Sequence, residues 1–128
     1  MTQKTDITER INSFEDAQKA TGRPDVPAFA DLPEDLREYF QDLYRGIVIN
    51  EGINNGWKPD WNDGNQAKYY PWLVYDPSSA GFVFDDTSWA TTDAGAGFAS
   101  RLCFFKTRAD AEQAGKTFVD IYNKLLLK

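Results

Sequence analysis

At 128 residues, with 41% hydrophobic and 15% aromatic residues, the chain has the size of a single domain, 1–128, whose core needs no disulfide or metal staple. Its net charge of −6 argues against general duplex-DNA binding, which requires a concentration of Lys and Arg against phosphates. The complete lack of histidine removes Ser-His-Asp and Cys-His catalysis, histidine metal sites and the commonest general base near neutral pH.

The charge is unevenly spread. Residues 1–56 carry −5, residues 57–100 carry −4, and residues 101–128 carry +3, which leaves room for a local basic face near the C-terminus. The longest aliphatic runs, Ile47–Ile49 and Leu125–Leu127, fall far short of the roughly 20 residues of a membrane span. The first residues contain no apolar stretch of the secretory type, and the one cysteine has no internal partner. These features lead us to expect a cytoplasmic protein; a protein carried in a virus particle would read the same way.

Ser13, with Asp16 three residues on, resembles a capping box, and predicts a helix ended by Gly22 and Pro24. Phe14, Ala17 and Ala20 would face inward, with a turn of helix before Ser13. An alternative start near Asp6 would place Ile7, Ile11 and Phe14 on one face. A second helix is expected after Asp31 as cap and Pro33 in the first turn, with Glu34 and Asp35 complementing the dipole. Leu36, Phe40, Leu43 and Ile47 form its apolar stripe, and Gly52 and Gly56 bracket its end.

Residues 57–106 lose charge and gain aromatic and β-branched residues. Strands are expected at 68–75, 80–85, 88–92 and 101–106, with turns at Asp76–Ser79 and Asp85–Asp86. Pro71 cannot donate to a ladder, so its strand is an edge or carries a bulge there. Residues 93–100 read as a flexible loop. A last helix begins at Thr107, again boxed by Asp110, with Ala111, Ala114, Phe118, Ile121 and Leu125 as its stripe. The predicted class is α+β: a small antiparallel sheet of three to four strands, with N-terminal helices and a C-terminal helix packed on one face.

Cys103, in the expected strand Leu102–Phe105, reads as an inert packed residue. Gly95 and Gly97 lack the following helix and the Gly-Lys-Ser/Thr of a phosphate loop. Asp60, Asn62 and Asp63 alternate like a calcium loop, but Gly64 and Pro71 occupy the fifth and twelfth positions, so Asx-turns account for them better. Asp85, Asp86 and Asp93 offer carboxylate pairs of the kind any acidic protein contains. No cofactor, metal or catalytic residue is indicated.

The unusual feature is aromatic density. Trp57, Trp61, Tyr69, Tyr70, Trp72 and Tyr75 fall between positions 57 and 75. Such rings build cores, and each buried one removes about 150–250 Å² from water. They also build binding platforms. Alternation in 68–75 puts Tyr69, Pro71, Leu73 and Tyr75 on one face, and Tyr70, Trp72 and Val74 on the other.

The segments Trp57–Trp72 and Ser100–Phe118 carry a resemblance. The motifs NNGWKPDWNDGNQAKYYPW and SRLCFFKTRADAEQAGKTF resemble a family of small uncharacterised proteins from gut Bacteroidetes and their phages, over roughly Ile7 to Leu127. Family members often read G-S-R-L-C-F-K-S; this chain has an extra phenylalanine and Ala99 in place of the glycine before Ser100. The resemblance implies a phage or prophage setting and no catalytic residue. The leading functional expectation is a non-enzymatic binding module presenting Trp57, Trp61, Tyr70 and Trp72 to a protein partner, with Asn62, Asp63, Asn65, Gln66 and Lys68 as a polar rim. The alternative is single-stranded nucleic-acid binding, with the rings stacking on bases and Lys58, Lys68, Arg101, Lys106 and Arg108 on phosphates. A carboxylate hydrolase ranks third. No reading involves a membrane.

Overall fold

The computed structural model describes residues 10–95 and 100–127. Ile7 and residues 96–99 of the loop expected at 93–100 lie outside them. The described elements are α1 (Phe14–Thr21), α2 (Glu34–Asn54), β1 (Lys68–Asp76), β2 (Gly81–Ala90), the short turn α3 (Ser100–Cys103), α4 (Arg108–Thr117) and α5 (Val119–Leu127). None of these helices is long and apolar enough to cross a membrane.

The predicted capping chemistry is present in α1. Ser13 Oγ accepts from the Asp16 amide at 3.1 Å, Asp16 Oδ2 accepts from the Asn12 amide, and Gly22 ends the helix at φ 71°. Phe14 packs on the core and Ala17 is buried, whereas Ala20 faces solvent. The reason is close helix packing: a Cβ on Gly52 would stand 3.1 Å from Ala17, so α1 meets α2 along one narrow line.

The second helix starts without a side-chain cap; Pro33, not Asp31, occupies that position. Its apolar stripe also differs from expectation. Leu36 is exposed, and Phe40, Leu43 and Ile47 are half-buried, while Val48, Ile49 and Ile53 are core. The C-terminal half is surrounded rather than one-sided. Leu102 and Ile121 close on the notch left by Gly46, and α1 closes on Gly52. Asn55, at φ 48°, ends the helix between the two glycines expected to bracket it.

The sheet has two antiparallel strands among the described residues, not three to four. The segments expected at 80–85 and 88–92 merge into the single strand β2, Gly81–Ala90, and Asp85–Asp86 form no turn. Trp72 pairs with Asp86 and Leu73 with Phe84, so Asp85 is the extra residue of a bulge. A bulge admits the acidic pair without reversing the chain. The strand of Pro71 is an edge, as one of the two expected alternatives has it, and the bulge lies one residue later with its extra residue in β2. Asp76–Ala80 makes the expected turn, with Asp76 accepting from Ser78 and Ser79.

Residues 101–106 are not a strand. Helical turn α3 lowers Leu102 into the Gly46 notch, a tertiary gain that outweighs the β preference of the sequence. The strand character survives at one residue: Phe105 exchanges two backbone bonds with Tyr69, 2.7 and 3.0 Å. The final helix begins at Thr107, as expected, but breaks at Phe118 into α4 and α5. Phe118, Ala111 and Ala114 are buried. Close approach of α4 to the sheet depends on Gly115, where a side chain would collide with Phe84 and Pro71.

Two asparagines lock these layers together. Asn50 and Asn54 both donate to the Phe104 carbonyl at 2.9 Å, and Asn54 Oδ1 accepts from the Lys106 amide at 3.2 Å. Asn54→Ala removes one donor to the Phe104 carbonyl and takes the acceptor from the Lys106 amide. We expect it to cost about 1–3 kcal/mol in urea unfolding; a loss below about 0.5 kcal/mol would mean that this clamp is not structural.

Candidate functional site: an apolar groove and a cationic cavity

The aromatic segment does not form one platform. The structure scatters its rings: Trp61 and Tyr70 pack on Phe104, Trp57 and Trp72 reach two different concave surfaces, Tyr69 packs against the core and Tyr75 stays exposed. The bridge at Tyr69–Phe105 decides this division. Alternation across it sends Phe105 into the core and Phe104 to the opposite face, where Lys68 and Tyr70 also point. Phe104 is buried, and takes Trp61 and Tyr70 edge-on at centroid distances of 5.2 and 5.6 Å. Trp61 is therefore chiefly a packing residue. It also covers Lys68, whose ammonium lies 5.0 Å from the ring centroid.

Lys68 has 0% relative exposure. Its Nζ donates to the carbonyls of Gln66 and Thr91, tying the approach to β1 to the exit of β2. The rim or phosphate-binding position expected for Lys68 is not what the structure provides. Asx-turns at Asp60 and Asp63, accepting from the amides of Asn62 and Asn65, shape the loop before it. No cluster of three acidic or cysteine ligands suited to a metal ion occurs among the described residues.

Tyr70 and Trp72, with centroids 6.4 Å apart, reach the first concave surface, a groove of about 280 Å³. β1 supplies Tyr70, Trp72 and Leu73, and α5 supplies Tyr122, Leu125 and Leu126. The break at Phe118 turns α5 across the hairpin. Asn123 then holds it there, accepting from the Phe82 amide at 2.6 Å and donating to the Phe82 carbonyl at 2.8 Å. Trp72 and Leu126 stand at the groove 49% and 55% exposed. The Tyr122 hydroxyl is pushed far above its ordinary pKa by burial and by nearby Cys103. Cys103 itself, placed on α3 rather than on a strand, is half-buried against this groove.

The second surface is a cavity of about 480 Å³ beside the C-terminal half of α2. Trp57, Lys58 and Arg101 line it with Arg23 and Glu51. Arg23 and Glu51 pair at 2.8 Å, and this pairing draws the Glu51 carboxyl below its usual range, helped by the fields of Arg101 and Lys58. Sequence reasoning singled out Trp57 and Arg101 but missed Arg23. It lies between Gly22 and Pro24, beyond the end of α1, and only the fold carries it to α2.

The six candidate residues thus separate. Trp57 and Arg101 share the cavity, Tyr70 and Trp72 share the groove, and Trp61 and Lys68 pack on each other. Of the other cations, Arg108 lies on the Tyr69 ring at 5.8 Å. Asp85 and Asp86 are exposed on β2 and line neither concave surface.

Comparison with known proteins finds no match, whether to a family model, to a curated protein or to a solved structure.

Lys68→Met keeps the aliphatic stem and removes the charge. Two carbonyls then lose a donor, so we expect a loss of about 1–3 kcal/mol in urea unfolding. Unchanged stability would show that the ammonium is solvated and open to ligands.

Proposed function

We propose that the chain is a non-enzymatic binding module, and that the groove between β1 and α5 receives an apolar anchor from a protein partner. The observation that supports this most directly is the pairing of Trp72 and Leu126, both about half exposed, across an apolar groove with Tyr70 at its wall. Large exposed rings around an apolar recess are the composition of interface anchor sites. The phage or prophage setting rests on the resemblance of Trp57–Trp72 and Ser100–Phe118 alone. The reading as a single-stranded nucleic-acid binder is less well supported, because Lys68 is buried on two carbonyls and the chain carries a net charge of −6.

The test compares capture of a partner from bacterial host lysate by the wild type, Trp72→Ala and Leu126→Asp. Leu126→Asp should change stability by no more than about 0.5 kcal/mol, as surface substitutions do. Either substitution should weaken binding of the purified partner by about 2 kcal/mol or more. The bound partner should also slow thiol labelling of Cys103. A partner bound equally well by both variants, with Cys103 labelling unchanged, would place the interface elsewhere.

A further inference from the structure

We propose that the cavity at Trp57, Lys58 and Arg101 is a second, independent binding site, and that it takes a small phosphate monoester bearing a planar ring, of mononucleotide type. Charge is the first observation. Arg23, Lys58 and Arg101 face one acid, Glu51, leaving +2 at this cavity in a protein of net −6. Arg23 is neutralised by Glu51 at 2.8 Å. Among the described residues, Lys58 and Arg101 make no ion pair or hydrogen bond. Two uncommitted cations at one cavity match a phosphate monoester, which carries about −1.5 to −2 at neutral pH; a carboxylate supplies half of that.

The second observation is shape and lining. A volume of about 480 Å³ lies in the range of small-molecule pockets. Trp57, Ile47 and Pro59 supply apolar surface beside the cations, and Trp57 offers an indole for ring stacking. The two lining amides, Asn50 and Asn54, both donate to the Phe104 carbonyl, so recognition falls to charge and stacking. A single phosphate fits better than a strand. A polyanion needs cations along a track, and here Lys68 is buried on carbonyls while Arg108 lies outside the cavity lining.

Isothermal titration with adenosine monophosphate tests the proposal, with adenosine, inorganic phosphate and a single-stranded oligonucleotide as comparisons. The monophosphate should bind at millimolar concentration or below, and adenosine and inorganic phosphate should each bind at least about tenfold more weakly. Joint replacement Lys58→Gln and Arg101→Gln should abolish binding while the melting temperature holds. Trp57→Ala should weaken it, and Glu51→Gln should strengthen it by removing the repelling charge. Trp72→Ala, in the groove, should have no effect, which separates this site from the partner site. No binding of the monophosphate, unchanged binding in the double variant, inorganic phosphate as tight as the monophosphate, or an oligonucleotide bound more tightly would each overturn it.

Discussion

The carbonyl of Phe104 is the point on which the architecture depends. It accepts from two side-chain amides of α2, while the next residue exchanges two backbone bonds with β1. A two-residue segment is thereby shared between the helical layer and the hairpin. Buried amides without partners are costly, so this arrangement holds only if all of its members are in place. It fixes which way Phe104 and Phe105 face, and through them which aromatic rings are enclosed. Phe105 joins Val48, Ile49, Ile53 and Phe118 in the core. Phe104 gathers Trp61 and Tyr70 on the other side.

Three buried glycines set the distances at which the helices meet. Gly46 admits Leu102, Gly52 admits Ala17, and Gly115 admits Phe84 and Pro71. Each would be an unfavourable helix residue in isolation, by about 1 kcal/mol relative to alanine. Packing at native density offsets that cost, because the opposing group fills the space where a side chain would stand. The break at Phe118 belongs to the same economy of space. It lets α4 lie flat on the sheet while α5 turns to wall the groove, held by Asn123 on Phe82.

The two concave surfaces have opposite chemistry. The groove is apolar, with Trp72 and Leu126 standing out of it; the cavity is cationic within an acidic protein. Their linings share no residue. A net charge of −6 discourages non-specific association with polyanions, and the excess of cations at the cavity is a local departure from it.

Much of the local structure was legible in the sequence. Ser13 and Thr107 cap their helices because a hydroxyl before a helical run satisfies an orphan amide whatever surrounds it. Asp76, Asp60 and Asp63 make their turns for the same local reason. The density of aromatic residues in 57–75 was equally plain. The tertiary structure alone decided how those residues are used. Cys103 and its neighbours read as a strand, yet α3 forms because Leu102 finds the Gly46 notch, whose existence depends on a residue more than fifty positions away. Lys68 read as a surface cation, yet it is buried on two carbonyls that only the closed hairpin brings together. Caps and turns are bonds between near neighbours and are written in short motifs. Burial, strand number and the grouping of Trp57 with Arg101 depend on contacts across the whole chain, and no local pattern encodes them.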